Sequence, residues 1–286
     1  MDRKSTGHEP QHIKELSLDE TQKALVPLFK KLQETCDKAG VKYYTVFGTL
    51  IGAARHQGFI PWDDDVDVAM LDEDFFIFRD YCQRHEEELL PYRLMGFGNT
   101  PGYPFNLHRF CDTRYGMESD IFPDAGMGAF IDIYRLSAAG NDPQELAKRV
   151  AFRQKLYYRG LIYNTMKKFV SSLRNPVKRT LKYLIFRSAR LFGKNIFHRG
   201  FEKLGQMYDM KDSSYVALLT WEEEMFVYPK EWFGEGAALP FEGLEVRVPK
   251  EWKAMLKKDY GDYMKLPPEE DRIPHHYYRI YRKDSM

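Results

Sequence analysis

The chain has 286 residues, of which 43% are hydrophobic, 15% aromatic and 30% charged, which excludes a largely disordered protein and allows one large domain or two small ones. No apolar run reaches the roughly 18 residues needed to cross a bilayer, and the hydrophilic first ten residues hold no signal-peptide core, so neither a membrane span nor secretion is expected. The net charge of +1 conceals a division: residues 146–201 carry 15 Lys or Arg and no Asp or Glu, which leaves the rest of the chain at −14.

Residues 1–17 read as a flexible segment. Leu18–Ala39 then places Leu25, Leu28, Phe29, Leu32 and Cys36 on one helical face and stops at Gly40. Pro27 predicts a late start or a kink in that helix, because its ring removes a backbone donor. Val41–Phe47 reads as a strand, Gly48-Thr49 as a tight turn, Leu50–His56 as a short helix and Val66–Met70 as a second strand. Asp72 is placed to cap a helix that turns Phe75, Phe76, Phe78, Tyr81 and Cys82 inward. Further strands are expected at Arg93–Gly98, Pro104–Cys111 and Gly128–Leu136. The basic stretch from Leu146 to Phe201 predicts two or more amphipathic helices, interrupted at Asn175-Pro176 and Gly193. After Asp209 the chain reads as loop-rich, with a short helix near Lys250–Tyr260. The expected organisation is a catalytic core over residues 18–140, a basic helical segment over 141–210 and a C-terminal segment over 211–286 that completes the site. Cys36, Cys82 and Cys111 are odd in number and widely spaced, as in reduced cytoplasmic thiols rather than a disulfide or zinc framework.

Four carboxylates, Asp63, Asp64, Asp65 and Asp67, fall within five positions beside apolar residues. On a strand, Asp65 and Asp67 project to one side, a geometry suited to a hard cation such as Mg²⁺ that also takes substrate phosphate oxygens. Gly48-Thr49 lies between a strand and a helix N-terminus, where backbone N–H groups and the helix dipole favour phosphate. Asp132 stands in the apolar run Ala129–Tyr134, and an ionised carboxylate there needs a cation or a hydrogen-bonding partner. Strand, Gly-Thr, helix, Asp-x-Asp and a strand Asp together have the layout of a nucleotidyltransferase-type core. The fold class expected is therefore α/β, an α+β mixed sheet with additional helices.

The run from Phe47 to Asp67, Phe-Gly-Thr-Leu-Ile-Gly-Ala-Ala-Arg-His-Gln-Gly-Phe-Ile-Pro-Trp-Asp-Asp-Asp-Val-Asp, resembles the signature of the LicD family, which comprises bacterial phosphocholine transferases and the fukutin-related polyol-phosphate transferases. The resemblance continues through Leu107–Arg114 and Phe130–Ile133. It returns at Phe241–Gly243, Val248-Pro249, Tyr260–Met264, Pro267-Pro268 and Arg272–His276. The zinc-binding cysteine cluster of the fukutin-related branch is absent, which points to the smaller bacterial type.

The resemblance implies transfer of a phospho-alcohol, phosphocholine first among them, from a CDP-activated donor to a hydroxyl of a glycan or lipid-linked glycan, with Mg²⁺ or Mn²⁺ as cofactor. Asp65 and Asp67 are the expected metal ligands, with Asp63 as a further one. Asp132 either completes the metal site or accepts the proton of the attacking hydroxyl. Asp64 is expected at the substrate, where it organises the loop. Arg55, His56 and Arg109 are candidates to neutralise a diphosphate. Trp62 stacks on a base or a choline, or packs as core. Arg272, His275 and His276 line the site from the C-terminal segment. A nucleotide-sugar glycosyltransferase and a nucleotidyltransferase are the alternatives that could use the same acids. The basic segment 146–201 attaches the protein to an anionic inner-leaflet surface, or is neutralised internally by the acidic remainder. Nucleic acid is not an expected partner, because it leaves the acidic motif unexplained.

Overall fold

The computed structural model describes residues 14–219, 225–273 and 278–283. Helix α1 (Leu18–Ala39) opens with a capping box: the Glu20 N–H donates to Ser17 Oγ, and the Ser17 N–H donates to Glu20 Oε2 at 2.8 Å. That box fixes the start nine residues before Pro27, so the expected late start is not seen. Gly40, at φ 70°, ends the helix in the left-handed conformation.

Strand β1 (Tyr44–Thr45) is shorter than the predicted Val41–Phe47, because Phe47 turns the chain at φ 52° and begins helix α2 (Phe47–Arg55). A non-glycine residue in that region is uncommon. Here the Phe47 ring is held edge-on by Tyr134 at 5.1 Å and Phe226 at 5.3 Å. Gly48 and Thr49 consequently lie in the first turn of α2 rather than in a separate turn.

The chain continues through β2 (Asp67–Leu71), α3 (Asp72–Arg84), the single turn α4 (Glu86–Leu89), β3 (Tyr92–Met95), β4 (His108–Asp112), β5 (Tyr115–Ser119) and β6 (Ala129–Ala138). Asp72 does not cap α3 as expected. It is the first residue after the cap position, and its carboxylate accepts from Arg135 Nε at 2.8 Å. Helices α5 (Pro143–Thr165), α6 (Pro176–Ala189) and α7 (Lys194–Gly205) follow. Asn175 caps α6 and Pro176 occupies its first turn, so the predicted interruptions are helix boundaries. The region expected to be loop-rich holds β7 (Tyr215–Leu218), β8 (Phe226–Pro229), β9 (Ala237–Phe241), β10 (Leu244–Val248), α8 (Trp252–Tyr260) and β11 (Tyr278–Arg282). These strands have four or five residues each, too short to show a clear alternation between Pro and Gly breaks.

The central sheet runs β1-β2-β6-β4-β3, and β7 and β8 extend it from the end of β6. Among the described residues, β2 and β6 pair in parallel and the other pairs of this sheet are antiparallel. All ten residues of β6 are buried, as expected for a strand covered on both faces. The fold is thus a mixed α/β sheet with additional helices. A second apolar cluster, including Leu146, Val150, Leu161, Phe201 and Leu204, lies among α5, α7 and β7. Arg135 ties it to the sheet by pairing with both Asp72 and Glu202.

Candidate active site

The parallel pair β2–β6 sets Asp67 directly opposite Asp132. Both residues are 6% exposed, two acids side by side at the edge of the core. The backbone fixes them: the Asp132 N–H donates to the Val66 carbonyl at 2.9 Å, and the Asp67 N–H donates to Thr49 Oγ1 at 2.9 Å. Thr49, expected as a substrate residue, therefore joins the first turn of α2 to the acid-bearing strand. The first N–H groups of any helix lack intrahelical acceptors, so this end of α2 presents donors and a positive dipole to the acidic loop.

Gly48 meets that loop at close range. A Cβ at this position would lie 2.7 Å from Asp63 Oδ2, so the Asp63 carboxylate occupies the space a side chain would fill. The loop is anchored from α1, where Gln22 Nε2 donates to the Asp63 carbonyl at 2.7 Å. It is anchored again from the β9–β10 turn, where Glu242 Oε1 accepts the Phe59 N–H at 3.1 Å. Asp64 and Asp65 are half-buried, between Asp63 and the strand.

Arg109, expected at a substrate diphosphate, is found paired with an acid in the core. It lies opposite Asp132 on the neighbouring strand β4, is 3% exposed and donates from Nε to Asp132 Oδ1 at 2.7 Å. Its guanidinium lies 3.7 Å from the Phe130 ring centroid and 4.2 Å from that of Phe105, in cation–π contact with both. Burial opposes its charge, but Asp132 and Tyr103 raise its pKa above the ordinary arginine value. Arg109 orients Asp132.

Arg55 also points elsewhere. It donates from Nη1 to the Tyr263 carbonyl at 2.7 Å and from Nε to His56 Nε2 at 3.0 Å, so it fastens the C-terminal segment to the end of α2. Burial and the Arg55 charge both lower the His56 pKa. Arg272 lies with its guanidinium 5.6 Å from the Trp62 ring centroid, which brings these two expected residues together. His275 and His276 lie outside the described residues.

Two tyrosines that sequence reasoning missed also face the acids. Burial pushes the Tyr134 phenol well above its ordinary pKa, and Asp67, Asp132 and Asp65 push it further. Tyr278 is shifted the same way by burial, then by Asp65 and Asp64. Tyr134 follows Asp132 by two positions, so strand alternation alone would have placed it on the same face. Tyr278 arrives only because β11 pairs with β5, which its sequence position does not announce.

Among the described residues, no three His, Cys, Asp or Glu side chains enclose a cation by themselves. The Asp67–Asp132 pair still fits Mg²⁺ by donor chemistry, since that ion commonly takes one or two carboxylates and completes its shell with water and phosphate oxygens.

The mixed sheet sets two acids in register beneath a helix N-terminus, an arrangement suited to a phosphate-bearing substrate. Residues 40–124 match the family model described as LicD/FKTN/FKRP, nucleotidyltransferase domain. The chain is 28% identical to the lipopolysaccharide cholinephosphotransferase LicD of Haemophilus influenzae over 94% of its own length and 99% of that protein. A shorter stretch of 38 residues is 53% identical to the human ribitol 5-phosphate transferase FKRP, covering 13% of this chain and 8% of that one. An uncharacterised protein of Rickettsia prowazekii is 40% identical over 24% of the chain and 23% of its own. The chain is similar to LicD-family phosphotransferases over nearly its whole length, and that similarity supports an enzyme that transfers a phospho-alcohol group. No helix among the described residues is long and apolar enough to cross a membrane.

Proposed function

We propose that this protein transfers phosphocholine from a CDP-activated donor to a hydroxyl of a glycan or lipid-linked glycan. The observation that carries this reading is the in-register pair Asp67 and Asp132 under the first turn of α2. Near-full-length similarity to a lipopolysaccharide cholinephosphotransferase supports choline as the alcohol and a surface glycan as the acceptor.

Asp67 and Asp132 would hold Mg²⁺, with Asp65 and Asp63 beside them. When bound, that ion neutralises the diphosphate charge. The chain's own residues do the positioning. Arg109 fixes the Asp132 carboxylate, Thr49 fixes the Asp67 backbone, and the start of α2 presents N–H donors to phosphate oxygens. Trp62, with Arg272 beside it, offers an aromatic face to the donor's base or quaternary ammonium group. The acceptor oxygen attacks the phosphorus that bears choline, its bond to the bridging oxygen of CMP breaks, and CMP leaves with that electron pair. The acceptor proton passes to a base. Arg109 already engages one oxygen of Asp132, which favours a positioning role for Asp132 over that of the base.

Calorimetric titration with CDP-choline, CDP-glycerol, CDP-ribitol, CTP and UDP-glucose, each with and without Mg²⁺, tests the proposal. Mg²⁺-dependent preference for CDP-choline is expected. Preference for another CDP-alcohol would replace choline, and preference for CTP or UDP-glucose would move the reaction to nucleotidyl or glycosyl transfer.

A further inference from the structure

Helix α6 is amphipathic in the wrong sense for a helix that only packs on its own protein. Its buried residues are Phe186 and Ala189, whereas Val177 (75%), Leu181 (58%), Leu184 (58%) and Ile185 (49%) are exposed. These four recur at i, i+4, i+7 and i+8, so they form one stripe, and at about 100° per residue Phe186 points to the opposite side. The stripe continues beyond the helix. Phe152 and Leu156 of α5 join Ile185 and Phe192 around an open apolar groove of ≈ 470 Å³. Leu191, 84% exposed, extends it past the end of α6.

Cations flank this apolar surface. Lys178, Lys182 and Arg187 lie on the two sides of that stripe on α6 and form no ion pair among the described residues. They belong to the segment 146–201 with 15 cationic and no anionic side chains.

We infer that the outward face of α5–α6 docks onto a bilayer surface carrying anionic lipid, with Val177, Leu181, Leu184 and Ile185 entering the acyl boundary and the flanking Lys and Arg meeting the headgroups. The inference goes beyond the proposed reaction and does not depend on which donor is used. A contiguous exposed apolar patch rimmed by polar groups marks a docking surface, and its charge decides the occupant. A second copy of the chain would bring two strongly cationic faces together across a two-fold axis, where like charges repel. A nucleic acid would satisfy the cations but leave the aliphatic ridge of Val177, Leu181, Leu184 and Ile185 in water. An anionic bilayer satisfies both parts of the surface, since apolar insertion and headgroup attraction act together in interfacial helices.

The full chain is floated with vesicles of phosphatidylcholine alone and of phosphatidylcholine with phosphatidylglycerol, at low and high salt. Retention on the phosphatidylglycerol vesicles at low salt, weakened by salt, is expected. The double substitution Leu181→Ser/Leu184→Ser lowers that retention by about tenfold or more with unchanged circular dichroism and melting, because both side chains are outside the core. Failure to float with phosphatidylglycerol overturns the inference. So does equal retention of the variant, salt-sensitive RNA binding without vesicle binding, or a dimer in sedimentation that the substitutions dissociate.

Discussion

Gly48 and Asp63 show how closely the site is built around a single missing side chain. A Gly48→Ala methyl would meet the Asp63 carboxylate at 2.7 Å, and that carboxylate, the end of a flexible side chain, can move aside. Alanine also improves helix propensity by up to about 1 kcal/mol. Gly48→Ala is therefore expected to keep or raise the melting temperature while lowering kcat for the transferase reaction, a combination that activity assay and thermal melting measure together. Asp67→Asn removes an anionic oxygen donor but keeps the side-chain shape and the backbone bond to Thr49. Turnover at saturating Mg²⁺ should fall on the order of hundredfold with the fold intact. Arg109 behaves differently, because its partner is buried with it. Arg109→Met removes the buried cation that pairs with Asp132 and is expected to cost about 3–5 kcal/mol in urea unfolding. The double variant Arg109→Met/Asp132→Asn should recover part of that loss, since the anion that Arg109 balances is gone as well.

At the scale of elements, α2 acts as a strut between the acidic loop and the C-terminal segment. Its Gly52 lets the chain fold back so closely that a Cβ would lie 2.4 Å from the Gly58 carbonyl oxygen. This neighbour is backbone, which cannot swing away as the Asp63 carboxylate can. Gly52→Ala is thus expected to destabilise by about 1–3 kcal/mol despite its better propensity, measured as a lower urea midpoint. The same loop is clasped by the β9–β10 hairpin, whose two-residue turn has Glu242 at φ 50° and Gly243 at φ 76°. Positive φ at both positions matches a type I′ turn, and the twist it imposes turns Glu242 toward Phe59.

Over the whole molecule, two buried histidines connect the sheet to the helical region. His108, in β4, is 6% exposed and His198, in α7, is 1% exposed. His198 stacks on Phe97 at 3.9 Å, and its Nδ1 lies 3.2 Å from Asn106 Oδ1. Burial lowers both pKa values to about 3; the Arg135 and Arg79 charges add to the effect on His108, and Lys194 to that on His198. Both imidazoles therefore stay neutral in the folded chain, while the unfolded chain takes up their protons near pH 6.5. The unfolded state binds more protons below that pH, so stability is full above about pH 6.5 and is lost as pH falls toward the folded values. Each histidine contributes about 1.4 kcal/mol per pH unit in that window. Urea midpoints should drop between pH 7 and pH 5, and His198→Gln should flatten the dependence.

The apolar spacing of α1, the basic helices, the acidic loop and the lone strand acid Asp132 were all legible in the sequence, because each is a local pattern of period or charge. Helix boundaries were legible at Gly40 and at Asn175-Pro176 for the same local reason. What the tertiary structure decided is which of those residues meet. Strand pairing placed Asp67 beside Asp132 and turned Arg109 from a candidate phosphate ligand into the buried partner of an acid. The return of β11 to β5 set Tyr278 in the field of Asp65 and Asp64, although more than 200 residues separate them in the chain. The outward turn of the α6 apolar stripe was equally hidden, because hydrophobic period reveals that a helix has an apolar face but not which way that face points. Period and charge are properties of neighbouring residues, whereas facing direction and long-range pairing are fixed only when the whole core closes.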